Sequence, residues 1–279
     1  MKTAEKQEIE ESVKQTDTER RMKKAQAVRA KYNAKAEKMI AEGEYKARKI
    51  EMNAHKKKEK KVRLDVHGRA KPAMRGWLHL ITAPLSLASG IVLICLSPAA
   101  GLKCACAVFM TCSLFLFANS ACYHLGNWSP KVTDVLRRID HANIFLLIAG
   151  TYTPVSFALS DKARQIMLAS MWICTTIAIT MHVVWINCPR WLSTITYIIF
   201  GISGVFCIGL FFKSPAAGPV ATILILTGGA CYISGAVIYG LRKPNPWPRI
   251  FGFHEIFHVF TVLGYACHCV AVYWVICHV

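Results

Sequence analysis

Only four of the chain's 16 acidic residues lie beyond residue 70: Asp134, Asp140, Asp161 and Glu255. Of its 34 Lys and Arg residues, 21 fall within the first 70 positions, which leaves 13 for residues 71–279. A stretch this long and this poor in charge does not build the surface of a soluble domain. Apolar residues make up 54% of the whole chain, and mean hydropathy is +0.34 even with the charged arm included. The chain therefore reads as two domains: a basic soluble N-terminal arm, residues 1–70, and a membrane domain, residues 71–279.

A helix needs about 20 apolar residues to cross roughly 30 Å of hydrocarbon. Seven such stretches can be read: 77–96, 103–124, 138–159, 166–186, 191–212, 217–240 and 253–276. The breaks between them carry turn residues or charge, as in "SPAAGLK", "GNWSPKVTDVLRR", "SDKAR", "NCPR", "KSPAAGP" and "LRKPNPWPR". The fourth and fifth stretches are the least clearly separated. With the arm inside, the inner loops hold Lys131, Arg137, Arg138, Arg190, Arg242, Lys243 and Arg249. The outer loops hold Lys103, Lys162, Arg164 and Lys213. The positive-inside rule then predicts an all-α, polytopic seven-transmembrane helix bundle, N-terminus inside and C-terminus outside. The expected location is the plasma (inner) membrane.

The arm is rich in Ala, Lys, Glu and Arg and has no apolar run, so it is neither a signal peptide nor a span. Its composition predicts a cytoplasmic segment that is helical, with or without coiled-coil pairing, or partly disordered. The cluster "HKKKEKKVRLDVHGRAK" beside the first span suits a solvated topogenic tail or contact with anionic lipid headgroups. No nucleic-acid-reading motif occurs, so no nucleic acid is expected as a partner. The twelve cysteines are scattered without a C-x-x-C pair and read as small buried apolar groups.

The predicted topology gathers the unusual polar residues at one depth. Ser120 and His124, one turn apart, close the second span; Asp140 and His141 open the third. His254, Glu255 and His258 open the seventh, and His79 opens the first. Ionisable groups inside a bilayer are costly and usually face a partner or a cavity. His254 and His258, at i and i+4, point the same way, and His124 is the best third ligand for Zn²⁺. Ser120 and Asp140 are the candidate catalytic residues beside a metal-bound water. Glu255, His79 and His141 are expected at most to support the ligands, with Glu255 pairing Arg249 or a loop. His182 and His268 lie on spans with no polar partner at their level, and with terminal His278 they read as packing or interface residues.

"SACYHLGNWSPKVTDVLRRIDHANIFLLIAGTYTP", residues 120–154, and "FGFHEIFHVF", residues 251–260, closely resemble the haemolysin III family. This is the bacterial branch of the progestin and adiponectin receptor (PAQR) superfamily, related more remotely to alkaline ceramidases. The pattern is S-x-x-x-H, then D-H-x-x-I-F-x-x-I-A-G-T-Y-T-P, then H-x-x-x-H; "RGWLHLITAPL" resembles the family's opening helix. The resemblance implies a seven-helix zinc site with His124, His254 and His258 as ligands and Ser120 and Asp140 beside the metal water. One departure is visible. Many relatives carry an acidic residue and an Asn before the first-helix histidine, and "KPAMRGWLH" has neither.

Several functions fit this pattern. The first is a zinc-dependent membrane hydrolase of a lipid amide or ester, ceramidase-like, with membrane lipid and a lipid-like substrate as partners. A pore-forming cytolysin is the second, and a receptor or sensor with structural zinc is the third. The H-E-x-x-H string also matches zinc metalloproteases. That reading is weak, because no acidic residue follows Glu255 and His268 is too far from His258 for the longer protease pattern.

Overall fold

The computed structural model describes residues 2–59, 72–184, 190–202 and 206–279. It divides into two units, Met1–Val62 and Arg63–Val279. The first consists of helix α1 (Lys2–Glu59), a rod of about 87 Å at 1.5 Å per residue. Every side chain described on it is exposed. Small or apolar residues nevertheless recur at steps of three, four and four: Ala25, Val28, Tyr32, Ala36, Met39, Gly43, Ala47, Ile50. An eleven-residue period keeps such a stripe on one face of a nearly straight helix.

The second unit is helical, with one isolated β-bridge, Trp247 to Phe251, among the described residues. Its helices are α2 (Trp77–Leu96), α3 (Ala100–Leu125), α4 (Pro130–Val155), α5 (Asp161–Val184), α6 (Arg190–Ile202), α7 (Ile208–Lys213), α8 (Gly218–Leu241) and α9 (Phe253–His278). Among the described residues, five helices are long and apolar enough to cross a membrane: α2, α3, α5, α8 and α9. Their outer faces expose many large apolar side chains, such as Ile81, Leu85, Ile173, Ile177 and Ile223, where a soluble protein would place charge. Lipid is the solvent that suits such a surface, since helices satisfy their own backbone groups there.

Two sequence expectations need correction. The break read through "KVTDVLRR" is helical: Ser129 and Pro130 start α4 there, Pro at the first turn needing no N–H partner. The Arg137–Asp134 pair, 3.1 Å apart at i and i+3, stabilises that polar first stretch. Asp140 and His141 thus stand almost three turns inside α4 rather than at its start. Within the stretch 191–212 the structure describes α6 and α7, and residues 203–205 lie outside the described set. The uncertain boundary between the fourth and fifth stretches, residues 185–189, likewise lies outside the described residues.

Helix α9 is the most enclosed of the five long apolar helices; it packs against α8 most extensively and also against α2 and α4. The stack of Phe109, Phe117 and Tyr265 joins it to α3, with ring centroids 5.6 and 5.0 Å from Tyr265. The chain entering α2 is tied to the chain entering α9: the Ala73 and Met74 amides donate to the Arg249 and Ile250 carbonyls. The start of α2, the end of α3, the first half of α4 and the start of α9 are thereby gathered at one end of the bundle.

Candidate metal centre

His124 is in the last turn of α3, and His254 and His258 are in the first two turns of α9. One ligand atom from each lies within 4.8 Å of the others. His124 Nε2 and His254 Nε2 are 3.2 Å apart. Bonds of about 2.0–2.1 Å to a tetrahedral zinc put neighbouring ligand nitrogens about 3.3 Å apart. The histidines therefore fit a metal ion without rearrangement of this pair, and an all-imidazole donor set suits Zn²⁺ among other divalent metals. His124 and His258 are buried and His254 half-buried.

Asp140 Oδ2 is 3.9 Å from His124 Nε2, and Ser120 lines the same cavity as Asp140. His79 stacks on His258 with centroids 3.9 Å apart and planes inclined 20°. Neither of its ring nitrogens has a partner among the described residues. It braces His258 by its ring face. His141 is half-buried one residue beyond Asp140.

Glu255 turns away from the three imidazoles. Its Oε1 accepts from Arg75 Nε at 2.9 Å, and its Oε2 accepts the Gly252 amide at 2.8 Å. The carboxylate thus caps α9 at its positive end and holds the segment before α2. Of the expected partners, Arg249 or a loop, the loop is present as the Gly252 amide, and the cation is Arg75 rather than Arg249. The one visible signal of Arg75 was position, an isolated cation just before the first span.

Gly76 precedes α2 with φ of 85°, a left-handed conformation. A Cβ there would meet His124 Cβ at 3.0 Å, so the absence of a side chain lets α2 enter directly beside a candidate ligand. A cavity of about 230 Å³ begins at His79, Ser120, Asp140 and His258 and runs between α4, α6, α8 and α9 as far as His268. Its walls between these ends are mostly Ile, Leu and aromatic side chains. His268, read from the sequence as a packing or interface residue, lines the far end together with Tyr232.

A helical membrane protein with a buried three-histidine group at one end of its bundle is the class these features define. The haemolysin-III related family model matches residues 67–269, and the chain belongs to that family. It is 29% identical to Hemolysin-3 of Bacillus cereus over 191 residues, 67% of this chain and 84% of that one. It is 28% identical to the Hemolysin-3 homolog of Bacillus subtilis (strain 168) over 160 residues, 57% and 71% of the two chains. A match that covers less of the relative is heptahelical transmembrane protein ADIPOR3 of Oryza sativa subsp. japonica, 30% identical over 169 residues, 55% of this chain and 41% of that one.

Proposed function

We propose that the protein is a seven-span, zinc-dependent hydrolase of a lipid amide or ester, with its site at the cytoplasmic side of the plasma (inner) membrane. The observation that carries this reading is that His258 of the histidine group lines the apolar cavity together with Ser120 and Asp140, and the cavity suits an acyl chain. In this reading α6 and α7 together make one span, and α4 another, in keeping with the heptahelical name of the plant relative. The basic arm, residues 1–70, is a separate cytoplasmic domain that meets anionic lipid headgroups.

His124, His254 and His258 are the metal ligands. Zinc, when bound, supplies a Lewis acid that polarises a carbonyl and makes water nucleophilic near neutral pH. Asp140 takes the proton from the attacking water and returns it to the leaving nitrogen or oxygen as the acyl bond breaks. Ser120 holds the Asp140 carboxylate or donates to the developing oxyanion. The apolar walls bind the acyl chain and keep bulk water from the carbonyl.

Metal analysis of purified wild type and His124→Ala, with turnover of N-acyl and O-acyl lipids, tests the reading. About one zinc per chain in wild type, lost with turnover in the variant, is expected. Zinc-free wild type, or undiminished hydrolysis by the variant, overturns it. Zinc-loaded protein that is inert across the panel but binds a ligand would instead mark a receptor with structural zinc. Ion conduction in liposomes with the histidines dispensable would mark a pore-former.

A further inference from the structure

The end of the cavity away from the metal centre is polar in a way the proposed chemistry does not use. His268 is 6% exposed and lines the cavity there. Its Nε2 is 3.1 Å from the Ile225 carbonyl oxygen. A carbonyl only accepts, so Nε2 carries the proton, and a neutral ring leaves Nδ1 as a bare acceptor. An unpaired imidazolium at that depth would carry the cost of a buried charge, so the ring is neutral. Nδ1 is buried without a partner among the described residues, and so is the hydroxyl of Tyr232 on α8. The two rings meet edge to face with centroids 5.2 Å apart, and Tyr232 lines the same cavity.

This pair is held in place by the backbone around it. A Cβ on Gly228 would come to 2.4 Å from His268 Cδ2, and one on Gly264 to 2.7 Å from Tyr232 Cε1. Each ring thus packs into the space a glycine leaves on the opposite helix. An unfilled acceptor and an unfilled hydroxyl, on two rings in contact in an apolar membrane interior, cost free energy unless something pairs with them.

We infer that the inner end of the cavity is a hydroxyl-binding subsite, in which His268 Nδ1 and the Tyr232 hydroxyl recognise a hydroxyl group carried on the ligand's chain. A ligand hydroxyl both donates to Nδ1 and accepts from the phenol, whereas a methylene does neither and a carbonyl does only the second. His258 and His268 are ten residues apart on α9, about 15 Å along its axis. The ligand class is therefore an amphiphile with one polar group at the metal centre and a hydroxyl roughly 15 Å further along an apolar chain. The inference rests on the proposed reading only in that an acyl chain enters this cavity.

The test is displacement of a fluorescent fatty acid from the full-length protein in nanodiscs by stearate and by a mid-chain hydroxylated stearate. The wild type should prefer the hydroxylated acid by about tenfold, the scale of one buried donor and acceptor satisfied or left unmade. Tyr232→Phe and His268→Leu should each abolish most of the preference, with plain stearate bound as well as before and zinc content unchanged. Equal binding of the two acids by wild type overturns the inference, because the pair is then served by water alone. So does a preference that survives in Tyr232→Phe, the substitution that keeps the ring in place if His268→Leu fails to fold. If wild type binds neither acid, the acyl-cavity reading fails along with it, an outcome distinct from equal binding.

Discussion

Glu255 shows how far a residue's role depends on its helix phase. In the string it stands between two ligands, yet its carboxylate is engaged by Arg75 and the Gly252 amide. Glu255→Gln should keep its zinc and retain turnover within a few fold, while losing about 1–3 kcal/mol of stability through the weakened buried pairing. Metal analysis and thermal melting check this, and complete loss of activity with intact metal would revive a general-base role. Asp140→Asn should do the reverse: metal content and melting unchanged, turnover down by about 10²–10⁴-fold. The contrast follows from geometry, since Asp140 lies beside His124 and shares a cavity wall with Ser120, while Glu255 joins the two chain entries.

At the scale of helices, the site depends on how closely their ends approach. Gly76→Ala forces a side chain onto a left-handed backbone and against His124. It should cost about 1–2 kcal/mol of stability, the scale of such backbone strain, and weaken zinc retention; melting and competition with a chelator read the two effects. Helix ends were also where the sequence was most and least informative. The H-x-x-x-H phase and the one-turn step from Ser120 to His124 follow from 3.6 residues per turn and could be read directly. Arg75 could not, because its contact with Glu255 bridges 180 residues and no local pattern encodes it. The start of α4 was missed because charges that looked like a loop are an amphipathic first stretch, paired along its own surface.

For the whole molecule, all the candidate site residues lie within the unit Arg63–Val279. Deleting residues 2–59 should leave zinc stoichiometry unchanged in purified protein, and a loss of metal would make the arm part of the site. A reporter fused after Val279 should be active outside the cell and silent inside if the C-terminus is external, as positive-inside counting expects. Hydropathy made the membrane class legible, and five of the described helices qualify as spans by length and composition. The polar residues of α4 lower its mean hydropathy and keep it out of that set. The far end of the cavity escaped the sequence reading because His268 meets Tyr232 only after α8 and α9 have packed.

The 130 residues between His124 and His254 also measure time. At about 5–20 residues per second of synthesis, they separate the two by roughly 6–26 s. For that interval α9, with two of the three candidate ligands, has not been made. A metal ion taken up by all three histidines would therefore mark a chain whose last helix has arrived, and a truncated chain would never acquire it.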